Sequence, residues 1–343
     1  MEADVFGTRP QVIAEISGNH LGSLDRAIEL VRLAKQAGVS YVKLQHYRPD
    51  TITVRGEAPD LTVRGGTPWD GRSMWDLYAE AMTPWEWTSD IAAAADEVGI
   101  QWFSSPFDET AVDFLEQFNV PIYKIASFEI VDLPLIRHVA MTGKEIILST
   151  GMASLAEIDA AVEAAQSGGA KQITLLRTNS GYPARPSEMD LAAIPVMQER
   201  WGLPIGFSDH SRSLAPAMVA AALGARVFEK HLTDSRQNGG PDAAFSVDPE
   251  ELREYVSLIG EACESLGVNR FGPSPHEESS LLLRPSLRAV RPIRRGEKVS
   301  IENVRSVRPA GGLPPDSFPS IEGRLFKTSA PQGAAISESM LMQ

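Results

Sequence analysis

Eight short apolar segments alternate with eight segments of helical spacing between residues 11 and 267. The apolar segments, which predict strands, are 11–17, 41–45, 101–106, 121–127, 145–150, 172–177, 204–209 and 226–231. Several of the helical segments end at glycine, as helix C-termini commonly do. Eight strands alternating with eight helices is the count of a (β/α)8 TIM barrel, an α/β fold. An open doubly wound sheet is the competing topology, but no G-x-G-x-x-G follows the first strand, which weakens its dinucleotide-binding form.

The pattern changes near residue 268, which we take as the end of a barrel domain over 1–268. Residues 269–283 are rich in Pro, Ser and Gly and are typical of a linker. Residues 284–343 are a run of short strands and turns, which predicts a small β-rich domain. About 60 residues make only a marginal core alone. We therefore expect this domain to pack on its own barrel or on that of a partner.

Charge and composition exclude several classes of protein. The net charge is −13 over 343 residues, with acidic and basic residues interspersed, which argues against a nucleic-acid or acidic-membrane binder. The single cysteine, Cys263, excludes a disulfide framework. The N-terminus lacks a signal sequence, and no apolar run approaches the ~18 residues of a membrane span. We predict a cytoplasmic protein.

Polar and charged side chains follow nearly every predicted strand. In a TIM barrel the active site lies at the C-terminal ends of the strands. Those ends carry Glu15; Lys43 and Gln45; Ser105; Lys124, Ser127 and Glu129; Ser149 and Thr150; Ser180 and Tyr182; Ser208, Asp209 and His210; and Glu229, Lys230 and His231. Desolvating so many polar groups without a purpose is costly, so this face is predicted to be a ligand site.

The residue types indicate what the ligands are. Two lysines among serines suit a small, multiply charged anion such as a phosphate or a carboxylate. His210 and His231, on neighbouring strand ends, are predicted to share one divalent metal ion, leaving coordination positions for water or substrate. We expect Glu229 and Lys230 to be structural, with strand alternation turning both away from His231. For His46, lining of the site and a structural role are equally open.

The motifs also carry a family resemblance. IAEISGNHLGSLDRAIEL, VKLQHYRPDTIT, YKIASFEIVDLPLIRHVA, SGYPA, GFSDHS and FEKHLTDSRQNGGPDAAFS resemble the sialic acid synthase family of nonulosonic acid synthases, and are most similar to its pseudaminic acid synthase branch. The tail is similar to the antifreeze-like (SAF) domain of that family. Leu21, His46 and the run 177–179 depart from the common pattern, and these departures bear on the choice of sugar.

The resemblance implies a fold, a reaction and an assembly. It implies a TIM barrel followed by a SAF domain, in a domain-swapped homodimer whose SAF domains cover the partner's barrel mouth. It implies condensation of phosphoenolpyruvate with an open-chain amino-sugar aldehyde and water, giving a nine-carbon 2-keto-3-deoxy acid and phosphate. For the pseudaminic branch the sugar is 2,4-diacetamido-2,4,6-trideoxy-β-L-altropyranose. The implied cofactor is a divalent metal, Mn²⁺, Mg²⁺ or Co²⁺.

The resemblance also implies a role for individual residues. Phosphoenolpyruvate would be held by Lys43, Ser105, Lys124, Ser127, Ser149, Ser180 and Ser208. The metal would be bound by His210 and His231. The sugar or the reacting oxygens would be contacted by Glu15, Gln45, Tyr182 and Asp242. Glu129 is the candidate general base for the attacking water, and Arg308 would reach from the partner towards an acyl group of the sugar.

Other functions stay open at this point. With the same chemistry, the chain could be an N-acetylneuraminate or legionaminate synthase. A metal-dependent pyruvate aldolase would need no phosphate site, which the lysines and serines argue against. A non-catalytic glycan- or ice-binding protein would use the tail alone. The long connection 48–83, which contains Trp69 and Trp75, is predicted to be a sugar-selecting flap because functional loops often exceed ~12 residues.

Overall fold

Eight parallel strands close into a barrel in the computed structural model, which describes residues 9–342. The strands are β1 Gln11–Glu15, β2 Tyr41–His46, β3 Gln101–Pro106, β4 Ile122–Ile125, β5 Glu145–Ser149, β6 Gln172–Thr178, β7 Ile205–Asp209 and β8 Val227–His231. Each strand pairs with the next, and β8 returns to β1 with His231 opposite Glu15. The predicted TIM barrel is confirmed.

Helices surround the barrel. They are α1 Leu24–Ala37, α2 Pro49–Ile52, α3 Met74–Ala81, α4 Thr88–Val98, α5 Glu109–Leu115, α6 Leu133–Met141, α7 Leu155–Gly168, α8 Ala193–Trp201, α9 Ala215–Ala222 and α10 Pro249–Leu266. The short α2 and α3 lie within the long connection from β2 to β3. Within residues 9–342, no helix combines the length and the apolar character needed to cross a membrane.

The helix ends follow from local chemistry. Ser23 caps α1 by accepting the backbone N–H of Arg26. Ser154 and Glu157 cap α7 reciprocally, as Asp248 and Glu251 cap α10. The chain leaves α1, α4 and α7 through glycines with left-handed backbone angles, which cost glycine little because it has no Cβ. These stops return the chain to the bottom of the barrel for the next strand.

His46 has a structural role. It is fully buried at the end of β2, with Nδ1 2.7 Å from the Ser104 hydroxyl and Nε2 2.9 Å from the Thr88 hydroxyl. Alternation along β2 turns it away from Lys43 and Gln45, towards the surrounding helices. Burial lowers the pKa of His46 to about 3, so the ring is neutral at physiological pH. Of the two alternatives for His46, lining of the site and a structural role, the structure supports the structural role.

The chain divides after Gly267 into a second unit, which begins at Val268. This unit contains a run of 3-10 turns over Pro275–Leu283, strands β9 Ser286–Ala289 and β10 Val304–Val307, and helix α11 Phe318–Ile321. β9 and β10 pair antiparallel. Its own small core includes Leu287, Ile293, Phe326, Ile336 and Leu341.

The buried His46 generates a prediction about pH and stability. Its folded-state pKa is depressed to about 3 from 6.5, so the unfolded chain binds a proton between these values that the folded chain does not. Stability from this group is complete above pH 6.5 and is lost as pH falls towards 3. Relative to His46→Gln, wild type should lose about 1.4 kcal/mol of unfolding free energy per pH unit in that window. Urea unfolding at pH 6, 5 and 4 measures this.

The comparison of wild type with His46→Gln isolates the contribution of the His46 imidazole. The other buried histidines titrate in both proteins, so their contribution cancels in the difference between wild type and variant. Parallel curves of unfolding free energy against pH would show that His46 binds its proton normally in the folded state.

Candidate functional site

Four charged side chains meet inside the barrel, and we call Glu15, Lys43, Lys124 and Glu229 the charged quartet. Lys124 donates to both carboxylate oxygens of Glu229, at 3.0 and 2.9 Å. The Lys43 ammonium lies 3.6 Å from Glu229, forms a close ion pair with Glu15 and donates to the Ser105 hydroxyl at 3.2 Å. No member is more than 5% exposed. Charges this buried are tolerated only because each has a partner of opposite sign.

The environment shifts the pKa of each member of the quartet. Burial raises the pKa of Glu15 to about 7, against the opposing effect of Lys43. Burial alone would also raise the pKa of Glu229, but Lys124 and Lys43 hold it well below its usual range. For Lys43, burial lowers the pKa, but the nearby carboxylates of Glu15 and Glu229 outweigh it, and the pKa is raised. For Lys124 burial is the larger effect, and the pKa is lowered. The two lysines therefore face one carboxylate whose pKa is held low and a second whose pKa is raised to about 7, an arrangement that suits a further anion.

The expectation for Glu229 was wrong, and that for Lys230 was right. Residues two apart in a strand share a face, so Glu229 lies on the same side of β8 as His231. Glu229 also accepts the Ser208 hydroxyl at 2.9 Å. Lys230 faces the helices, where it pairs with Asp209 at 3.0 Å and is fully buried. The i, i+2 spacing from a predicted metal ligand is the signal in the sequence that could have found Glu229.

Two serine hydroxyls converge over a glycine, and we call Ser127, Gly151 and Ser180 the serine cradle. A Cβ placed on Gly151 would lie 2.3 Å from the Ser180 Oγ and 2.7 Å from the Ser127 Oγ. The Ser180 hydroxyl is buried and has no hydrogen-bond partner within residues 9–342. An unsatisfied buried hydroxyl is costly, so an oxygen-rich ligand would stabilise this arrangement. Ser149, at the end of β5, is buried two residues before the glycine.

His210 and His231 lie side by side, with ring centroids 5.4 Å apart. The Nδ1 of His210 lies 2.9 Å from the Asn179 carbonyl oxygen, to which it donates, so Nε2 carries the free lone pair. Burial lowers the pKa of His210 to about 4 and that of His231 well below its usual value. The Nδ1 of His231 is buried without a partner in the described part of the chain. Neutral imidazoles, one oriented by a backbone carbonyl, fit a divalent metal.

The histidines are the protein groups that fit a metal here. No group of three or more His, Cys, Asp or Glu side chains among residues 9–342 has the geometry to hold an ion. A metal at this place would thus take two ligands from the chain and the remainder from water or substrate. The assignment of His210 and His231 to a metal stays a prediction.

Aromatic rings surround the histidine pair. The Tyr182 ring lies 4.4 Å from His210, and the Phe245 ring lies 4.9 Å from both His231 and Tyr182. Asp242 is buried nearby and accepts the Gly18 backbone N–H at 3.1 Å. These residues come from loops after β1, β6 and β8, so they form one rim of the barrel mouth.

The other predicted residues are distributed as follows. Gln45 donates from its side-chain amide to the Ala81 carbonyl at 3.2 Å, which fixes its orientation. Glu129 lies on a 3-10 turn after β4, with one carboxylate oxygen buried and unpartnered within residues 9–342. Burial raises the pKa of Glu129 to about 7, a value suited to a general base at neutral pH. Arg308 is exposed on the second unit.

Family models match both parts of the chain. The model of the NeuB family matches residues 30–270, and the model of the SAF domain matches residues 284–342. The chain belongs to the NeuB family. The resemblance to sialic acid synthases seen in the sequence is thereby confirmed.

Relatives of known name match nearly the whole length of this NeuB-family chain. A pseudaminic acid synthase from Campylobacter jejuni is 36% identical over 341 residues, covering 99% of this chain and 99% of that protein. One from Helicobacter pylori is 35% identical, covering 95% and 97%. An N,N'-diacetyllegionaminic acid synthase from Campylobacter jejuni is 33% identical, covering 88% and 91%.

A solved structure is similar in fold. It is the N-acetylneuraminic acid synthetase from Leptospira borgpetersenii, in complex with citrate. It superposes with a TM-score of 0.71 at 29% sequence identity, covering 80% of this chain and 91% of that one. The barrel therefore has the architecture found in this group of proteins.

The serine cradle generates a prediction. In Gly151→Ala the new methyl group displaces the two hydroxyls by side-chain rotation. It also meets the Thr178 Cγ2 methyl at 3.0 Å, a contact that must open by a few tenths of an ångström. Binding of a phosphate-bearing ligand should weaken about tenfold to a hundredfold, because hydrogen bonds to a charged group are lost. Isothermal titration of phosphoenolpyruvate measures the loss.

The matched control is Gly260→Ala. Gly260 lies in α10, where a Cβ would meet nothing within 4 Å. Its substitution should leave binding and the circular dichroism spectrum unchanged. Unaltered affinity in folded Gly151→Ala would show that the cradle does not hold the ligand.

Proposed function

We propose that this NeuB-family chain is a pseudaminic acid synthase. It condenses phosphoenolpyruvate with 2,4-diacetamido-2,4,6-trideoxy-β-L-altropyranose and water, giving pseudaminic acid and phosphate. The observation that carries the proposal is the combination of two buried lysines, a cradle of serine hydroxyls and a neutral histidine pair at one barrel mouth. Whole-length similarity to enzymes named pseudaminic acid synthase supports the choice of sugar.

Phosphoenolpyruvate is assigned to the quartet and the cradle. Its phosphate and carboxylate are held by Lys43, Ser105, Lys124, Ser127, Ser149, Ser180 and Ser208. The ligand is a polyanion, and the protein as a whole is acidic, so local cations must supply the attraction. Glu15, with its pKa near 7, can take up a proton as the anion enters, which frees Lys43 to pair with the ligand.

The histidine pair is assigned to a divalent metal, Mn²⁺, Mg²⁺ or Co²⁺. When bound there, the ion supplies Lewis-acid polarisation of the aldehyde oxygen. The chain contributes orientation: the Asn179 carbonyl fixes the ring of His210, and Phe245 packs against His231.

The remaining residues are assigned to the sugar and the water. C3 of the enol attacks the aldehyde carbon, water adds at C2, and phosphate leaves with cleavage of its C–O bond. Glu129 accepts a proton from that water, for which a pKa of about 7 is suitable. Glu15, Gln45, Tyr182 and Asp242 contact the sugar and the reacting oxygens.

The second unit is assigned to a lid. We take 1–268 as the catalytic barrel, 269–283 as the linker and 284–343 as the SAF domain of a domain-swapped homodimer in the cytoplasm. The small core of this unit and the exposure of Arg308 support a role in covering a partner's mouth. Arg308 would then meet an acyl group of the sugar.

A second sugar is supported by one comparison. The similarity to an N,N'-diacetyllegionaminic acid synthase makes the legionaminic acid precursor the leading rival acceptor, ahead of N-acetylmannosamine. A pyruvate aldolase or a glycan-binding protein would release no phosphate, so phosphate release separates these functions from all the synthases.

The deciding experiment measures phosphate release from phosphoenolpyruvate with Mn²⁺ and one amino-sugar at a time. The panel holds the 2,4-diacetamido-trideoxy-altrose and -mannose compounds and N-acetylmannosamine. We expect release with the altrose compound and its abolition by EDTA. His231→Ala should lower turnover about 100-fold or more, because a metal contributes several kcal/mol to the transition state.

Each outcome has a meaning. Release with another sugar would keep the chemistry and change the substrate. Full activity of His231→Ala, or activity in EDTA, would remove the metal assignment. No phosphate release with any of the three sugars would exclude a synthase that uses one of them as its acceptor.

The swapped lid generates a separate prediction. Arg308→Ala and His231→Ala should each be impaired alone. In an equal mixture after subunit exchange, half the dimers are mixed, and each has one mouth with an intact barrel and an intact Arg308 from the partner. About a quarter of wild-type activity should return. No recovery, with both parents impaired, would indicate that Arg308 serves its own barrel.

A further inference from the structure

Trp69 joins the long connection after β2 to the loop after β8. It lies between α2 and α3 in the predicted flap, residues 48–83. The indole N–H of Trp69 donates to the Pro241 carbonyl at 2.6 Å. Its ring lies 5.2 Å from Tyr182 and 6.0 Å from Phe245. One flap residue is therefore fixed among residues that surround the histidine pair.

The rings form a continuous series, and we call Trp69, Tyr182 and Phe245 the aromatic row. At its inner end Tyr182 lies against His210 and Phe245 lies against His231. At its outer end Trp69 is only partly buried, whereas Phe245 is 1% exposed. The row thus runs from the predicted metal position to the accessible edge of the mouth.

The outer end of the row offers no hydrogen bond. Trp has a single polar atom, its N–H donor, and in Trp69 that donor is used by Pro241. The surface that this ring presents is therefore wholly apolar. A ligand methyl group would be favoured against it, while a hydroxyl would lose water without gaining a partner.

We propose that Trp69 is a specificity-determining residue that selects 6-deoxy amino-sugars over their 6-hydroxylated counterparts. The inference rests on the proposed function, in which the aldehyde of the open-chain sugar lies at the histidine pair. Because C6 is the opposite end of that chain, it lies farthest along the aromatic row. The methyl group at C6 packs on Trp69, and a hydroxymethyl group there is rejected.

The test compares kcat/KM for the accepted 6-deoxy sugar and for the same sugar with a 6-hydroxyl group. Wild type should prefer the 6-deoxy sugar by about tenfold to a hundredfold, the range that an apolar pocket provides. Trp69→Ala should lose most of that preference, mainly by weakening the 6-deoxy substrate. Trp69→Phe, which keeps an apolar ring but not the N–H, should keep most of it.

The matched control is Trp75→Ala. Trp75 is the next tryptophan along the chain, also partly buried, and its ring lies under the Arg55 guanidinium at 4.6 Å. Its removal should leave the preference unchanged. An equal loss for both sugars in Trp69→Ala would mean that Trp69 only supports the flap, and would overturn the inference.

If a variant folds but is catalytically inactive, the sugar preference can be measured by binding instead. The alditols made by reducing the two sugars cannot react, and their affinities by calorimetry, with phosphoenolpyruvate and Mn²⁺ present, report the same preference. Equal alditol preference in wild type and Trp69→Ala would overturn the inference. Wild-type preference for a 6-hydroxylated acceptor would overturn it while the synthase chemistry stands. Absence of phosphate release with every acceptor would instead refute the proposed function, and the inference with it.

Discussion

The mutual neutralisation of four buried charges is the constraint on which the barrel mouth depends. Glu15, Lys43, Lys124 and Glu229 come from four different strands and are almost completely removed from water. None can be buried alone at acceptable cost, so strands β1, β2, β4 and β8 must reach their final register together. The closure of the barrel therefore brings these four charges together.

Adjacent residues of strand β8 make contacts inside and outside the barrel. Glu229 points inwards to the lysines, and Lys230 points outwards to Asp209, next to His210 in the chain. The Lys230 ammonium also donates to the Ser211 carbonyl, on the other side of His210. Two contacts from outside the barrel therefore fix the turn that presents this histidine. Side chains outside the barrel thus help to position His210.

Features that depend on local periodicity can be predicted from the sequence. The role of a residue cannot be predicted when it depends on a contact with a residue distant in the sequence. Strand and helix segments follow from apolar spacing, and the polar strand ends follow from barrel topology. The prediction for Glu229 is wrong because residues two apart along β8 share a face, so Glu229 lies on the side of His231. For His46 the deciding partners are Ser104 and Thr88, which belong to other elements. The contact of Trp69 with Tyr182 joins loops more than a hundred positions apart, and no local pattern indicates it.

Gly151 has a consequence for how this chain can change over generations. Every single-nucleotide change of a glycine codon that alters the residue adds a Cβ, and here that atom would be 2.3 Å from the Ser180 Oγ. The obstructing atoms are two rotatable hydroxyls and, at 3.0 Å, the Thr178 methyl group, and none is backbone, so an alanine requires only small side-chain shifts. An alanine here would keep the fold and still displace the two hydroxyls, whereas a larger side chain at this buried position would also disturb the packing.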